Sequence, residues 1–141
     1  MTVSIRPIGA RDKDEWLKLC NGPDSYLEFY KAMDVVSDET AQTMFACFLE
    51  EKEPVYACVA VNADGKLIGL ATYLTYRNTW NVKDSLYLND PFVYPKCRLG
   101  DADKFGCGKT YWNTQFQNHR AQSLYCKVAK KSGFLLYIRP Q

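Results

Sequence analysis

"PVYACVAVNADGKLIGLATYLTY", residues 54–76, sets two runs rich in β-forming residues on either side of an Asp-Gly turn. Valine, tyrosine, isoleucine and threonine suit a pleated surface, and "NADGK" (62–66) supplies the residues a tight connection needs. The stretch predicts an antiparallel hairpin. Upstream, Ser37 followed by Asp38 and Glu39 opens a helix bearing Ala41, Met44, Phe45 and Phe48. Leu27 and Tyr30 also keep helical spacing after the break "NGPD" (21–24), and "ARDKDEWLKLC" (10–20) carries a stripe of Trp16, Leu19 and Cys20. Val3, Ile5 and Ile8 form a short first strand. Downstream, "LYLNDPFVY" (86–94) reads as a fourth strand, in which Pro91 cannot donate to a ladder and so predicts a bulge or an end to pairing. "TYWN" (110–113) is a fifth strand. On a helix starting with Asn118 as N-cap, Ala121, Leu124, Tyr125 and Val128 share a face; Gly133 stops it, and Phe134 to Ile138 then reads as a buried strand.

The predicted architecture is α+β: a mixed, mostly antiparallel sheet flanked by helices. At 141 residues, 47% apolar and 14% aromatic, the chain can bury a full core as one domain over residues 1–141. A net charge of +2 with scattered lysines argues against a nucleic-acid partner. A small nucleic-acid module using Tyr111, Trp112, Lys127, Lys130 and Lys131 lacks the interleaved aromatic platform it would need. The six cysteines never occur as C-x-x-C and sit in apolar segments, as reduced core thiols would. Neither an export segment nor the roughly 18 apolar residues of a membrane span is present. The expected setting is cytoplasmic or nuclear, with no membrane partner.

"KLIGLATYLTY" (66–76), "LYLNDPFVYPKCR" (86–98) and "NHRAQSLYCKVAKKSGF" (118–134), in this element order, resemble the GNAT superfamily of acyl-CoA N-acyltransferases. Among its members the chain is most similar to the small eukaryotic polyamine, histone and amino-acid acetyltransferases. The resemblance implies acetyl-CoA as co-substrate and a primary amine as acceptor. The cofactor arm would pair with backbone at Pro91, Phe92 and Val93, as an added strand would. Asn118 and Ala121 would face the cofactor from the helix after the fifth strand. Tyr125 would lie near the sulfur, and a phenol with a pKa near 10 can protonate the departing thiolate as general acid. The alternative for Tyr125 is a core residue that packs its helix.

An amine with a pKa near 10 also needs a base. Some relatives carry glutamate at the place of Asn89, which cannot take a proton. Asp90 is the nearest carboxylate, but alternation along the strand sends it to the opposite face unless a bulge at Pro91 re-aims it. Its other reading is a hydrogen-bond partner at the strand end. His119 is expected at the surface.

The family's pyrophosphate loop, R/Q-x-x-G-x-G/A, is matched at Arg98, but Asp101 stands where the first glycine belongs and would repel phosphate. Pro95, Gly100, Gly106 and Gly108 leave no room for the usual helix between the fourth and fifth strands, so the crossover is shortened. A non-catalytic or homodimerising relative is the second reading. It follows from that shortening, which would leave one sheet face open and apolar. The acceptor would be set by "CNGPDSYLEFYKAMD" (20–34), where Asp24, Glu28 and Asp34 can attract a cationic amine.

Overall fold

A computed structural model of the chain describes residues 3–21, 36–91 and 107–140. Asn21, Asp90 and Pro91 enter only through their backbone. The residues Leu27, Tyr30, Asp24, Glu28, Asp34, Phe92, Val93, Arg98, Asp101 and the shortened crossover lie outside the described residues.

The hairpin forms where the Asp-Gly turn predicts it. Strand β2 (Val55–Asn62) pairs antiparallel with β3 (Leu67–Tyr76), from Val55↔Leu74 to Val61↔Leu67. The Asn62 side-chain oxygen accepts the backbone N–H groups of Asp64 (3.1 Å) and Lys66 (2.9 Å). Gly65 takes φ = 81°, a left-handed value that a side chain resists. Strand β1 (Val3–Pro7) adds to β2, and β4 (Ser85–Pro91) adds to β3, both antiparallel. Strand β5 (Lys109–Trp112) joins β4 in parallel, so the spatial order is β1-β2-β3-β4-β5.

Both faces of the sheet are covered, which is why β2 and β3 are near-continuous apolar runs and not alternating ones. On one face Ala57, Val59, Val61, Leu67 and Leu70 pack with Ile8, Trp16, Ala41 and Phe45. The last three come from α1 (Lys13–Asn21) and α2 (Asp38–Leu49), which lie on β3 and β2 respectively. Ser37 caps α2 as its position predicts, its hydroxyl accepting the Thr40 N–H at 3.1 Å. Trp16 sits between the rings of Phe45 and Phe48, at 5.5 and 5.6 Å. Each large side chain buried here stabilises by about 1.5–3 kcal/mol.

A turn at Ala10–Asp12 aims α1 at the sheet. Asp12, 4% exposed, accepts both Arg6 guanidinium nitrogens (2.6 and 2.8 Å) and the Gly9 N–H (2.8 Å). The hydrogen bonds from Arg6, ahead of the opposing effect of burial, hold the Asp12 carboxyl below its ordinary pKa. Glu15 accepts the Leu67 N–H at 3.0 Å, tying α1 to the start of β3.

On the second face Cys58, Ala60, Ala71, Tyr73, Leu86 and Leu88 are all buried, with Cys107 and Trp112 packed against them. The expectation of an open apolar face is therefore incorrect. The expected last strand is also absent: Phe134, Leu135, Leu136, Tyr137 and Ile138 are 69–86% exposed and form no ladder. A short apolar run becomes a strand only where a partner edge meets it, and composition alone does not supply one. Helix α3 (His119–Tyr125) ends well before Gly133, and Leu124 and Val128 on the predicted stripe are 40% and 39% exposed.

Candidate active site

The β4–β5 ladder, at one edge of the described sheet, stops before β4 does. It runs from Ser85↔Lys109 to Leu88↔Trp112, while β4 continues to Pro91, still held by β3 through Thr72↔Asp90 and Ala71↔Pro91. Between Tyr73↔Leu88 and Thr72↔Asp90 the register shifts by one, so Asn89 is the inserted residue of a β-bulge. Pro91 thus ends a strand that is already distorted two residues earlier. The strict alternation expected for Asn89 and Asp90 does not hold across such an insertion. Beyond Trp112 the chain turns away through Asn113 and Thr114 toward α3. A gap results, and the three residues of β4 that reach it are Asn89, Asp90 and Pro91.

Helix α3 approaches this gap from the second face. Its first turn is fixed by Asn118, whose side-chain oxygen accepts the Ala121 N–H at 3.1 Å. That bond makes Asn118 a cap and places Ala121 in the same turn. Two turns on, the Tyr125 ring meets Trp112 edge to face, 5.3 Å between centroids. Trp112 shares a cross-strand position with Leu88 on the second face, so Tyr125 lies on that side of the sheet. It is half-buried and borders a cleft of about 470 Å³ together with Thr110, Trp112, Gln122 and Leu135. His119 is exposed, as expected.

Asn89 opens to the other side. It lines a cavity of about 310 Å³ with Leu70, Thr72 and Leu74 of β3 and with Trp16, Met44 and Phe48 of the two helices. Tyr125 and Asn89 therefore stand on opposite faces, and chemistry that used both would have to run through the gap between β4 and β5. Asn118 and Ala121 border neither cavity.

Three tyrosines meet across β3, β4 and β5, and of these the reading of the sequence had singled out Tyr111 alone and for another role. The Tyr76 hydroxyl donates to that of Tyr111 at 2.9 Å, and the Tyr111 ring lies 5.0 Å from that of Tyr87. Burial first, then the Tyr76 hydrogen bond, pushes the Tyr111 phenol up to about 12. It stays protonated at neutral pH. The signal was the pairing Tyr87↔Tyr111, which needs the β4–β5 register to be known. Burial, reinforced by Asp84, likewise raises the Cys107 thiol and keeps it neutral. Among the described residues no group of three His, Cys, Asp or Glu could hold a metal ion, and no helix is long and apolar enough to cross a membrane.

No family model matches the chain. A curated relative does. It is the D-amino-acid N-acetyltransferase HPA3 of Saccharomyces cerevisiae, 33% identical over 150 residues, covering 97% of this chain and 90% of the yeast protein. The aligned span exceeds the 141 residues present here, so this chain carries gaps against the yeast enzyme. Solved structures repeat the fold at lower identity. A probable acetyltransferase superposes with a TM-score of 0.77 at 17% identity, covering 100% of this chain and 98% of its own. The ribosomal-protein-alanine N-acetyltransferase of Brucella melitensis biovar Abortus 2308 gives 0.72 at 18%, with 99% and 100% covered. AAC(6')-Iy in complex with the bisubstrate analog CoA-S-monomethyl-acetylneamine gives 0.72 at 16%, with 100% and 99% covered. With a mixed five-stranded sheet, a β4–β5 ladder that stops short and a relative matched along nearly its whole length, the chain belongs to the GNAT superfamily of acyl-CoA N-acyltransferases.

Proposed function

We propose that this N-acetyltransferase moves the acetyl group of acetyl-CoA to the amino group of a free amino acid, with D-amino acids as the acceptor class. The acceptor class rests on the yeast relative, whose name gives that activity. Acetyl-CoA as donor is supported by AAC(6')-Iy, solved both with CoA and with a CoA bisubstrate analog.

The observation that carries the reading is the gap beyond Leu88↔Trp112. An extended pantetheine arm can lie along β4 there as an added strand, which presents its thioester between the two faces. The neutral amine attacks the thioester carbonyl, its nitrogen releases a proton to solvent as the amide forms, the carbon–sulfur bond breaks, and the departing thiolate takes a proton. Tyr125, on the α3 side, is the proton donor in this scheme. On the other side the Asn89 amide orients the amine but accepts no proton, so the ammonium must lose its proton to Asp90 or to solvent before attack. Binding at Arg98, Phe92 and Val93 belongs to the same scheme.

The test is direct. Purified chain, acetyl-CoA and D-leucine are mixed, and both CoA thiol release and N-acetyl-D-leucine are measured. Equal rates of the two support the proposal; thiol release without acetylated product, or neither, refutes it.

A further inference from the structure

We infer that the 310 Å³ cavity between α1, α2 and the sheet is the side-chain pocket of the acceptor, and that it selects apolar side chains of medium to large size. The inference rests on the reading of the chain as an amino-acid N-acetyltransferase and adds the substrate class.

The walls are Trp16 from α1, Met44 and Phe48 from α2, and Val55, Leu70 and Leu74 from the sheet. Trp16, 5% exposed, is locked by the rings of Phe45 and Phe48 and presents a flat apolar surface. Its indole N–H is buried without an acceptor among the described residues and, as a donor, offers nothing to an ammonium. No Asp, Glu, Lys or Arg occurs among the described lining residues. Polar atoms enter through Thr40, Thr72 and Asn89. Asn89, exposed and part of the bulge at the gap, marks the end of the cavity nearest the site of transfer.

Size and charge decide what fits. Ligand pockets span about 300–1,000 Å³, and this one lies at the small end, suited to one amino-acid side chain and not to an extended polyamine. Against the described lining, a second ammonium placed inside would lose its hydration with no opposite charge to replace it. An apolar side chain gains about fourfold in binding per buried methylene. The amino group then stays at the Asn89 end, beside the thioester.

The experiment compares kcat/KM for D-tryptophan, D-phenylalanine, D-leucine, D-alanine, D-lysine and spermidine in the full chain and in two variants. Leu74→Trp fills the cavity, and Met44→Ala enlarges it. D-Phenylalanine and D-leucine should exceed D-alanine, D-lysine and spermidine by at least tenfold. Leu74→Trp should collapse the phenylalanine-to-alanine ratio, and Met44→Ala should shift preference toward D-tryptophan. The second variant decides the matter should the first fail to fold. A preference for D-lysine or spermidine, or ratios untouched in the variants, overturns the pocket while leaving acetyl transfer intact. If nothing is acetylated, the proposed function falls and ligand-observed NMR decides the pocket. D-Phenylalanine binding that Leu74→Trp or Met44→Ala alters upholds it, and no binding overturns it.

Discussion

Replacing Tyr125 by phenylalanine separates packing from proton transfer. The ring that meets Trp112 at 5.3 Å stays, along with the roughly 0.5–1.5 kcal/mol of an edge-to-face pair. Only the hydroxyl goes. The thermal midpoint should therefore move by no more than a few degrees. Catalysis should suffer much more, since a positioned acid contributes about 10²–10⁴-fold, equivalent to about 2.7–5.4 kcal/mol of barrier. Because the hydroxyl acts on the leaving sulfur, the loss should fall on kcat with the KM for acetyl-CoA nearly unchanged. Tyr125→Ala supplies the contrast by removing the ring as well, so it should lower stability and kcat together. Steady-state kinetics by thiol release, paired with melts of the same samples, reads both quantities. A folded Tyr125→Phe protein within threefold of the parent kcat would refute the acid role and return Tyr125 to packing α3 on Trp112.

Two further outcomes follow from local geometry. Asp12→Ala leaves the Arg6 guanidinium and the Gly9 N–H without their acceptor, which should cost about 2–4 kcal/mol in urea unfolding, below the full figure for a buried pair because Arg6 is partly exposed. Since Arg6 lowers the Asp12 pKa in the folded state, this stability is present above the ordinary carboxylate range near pH 4 and is lost as pH falls below it. Parent and Asp12→Ala stabilities should converge in acid, and a constant difference down to pH 2 would contradict the assignment. Gly65→Ala meets no atom within 4 Å, so its cost is the left-handed backbone alone, about 1 kcal/mol in the urea midpoint.

The elements were legible wherever local chemistry was sufficient. Asn62, Asp64 and Gly65 specify a hairpin by hydrogen bonding and backbone freedom within five residues. Ser37 and Asn118 announce helix starts because a cap is satisfied by its own next turn. Those signals, with the motifs around Asn89 and Tyr125, also carried the family. What they left open depends on partners distant in sequence. Phe134 to Ile138 has strand composition but joins no ladder and lies exposed. The second sheet face proved buried at Cys58, Ala60, Ala71, Tyr73, Leu86 and Leu88, which no local pattern announces. The bulge at Asn89 shows only in the register against Thr72 and Tyr73, and it turns Asn89 into the cavity bordered by Trp16 and Leu74. Side-chain type is written residue by residue, but which face a strand residue takes is decided by the neighbouring strand, and a single inserted residue is enough to change it.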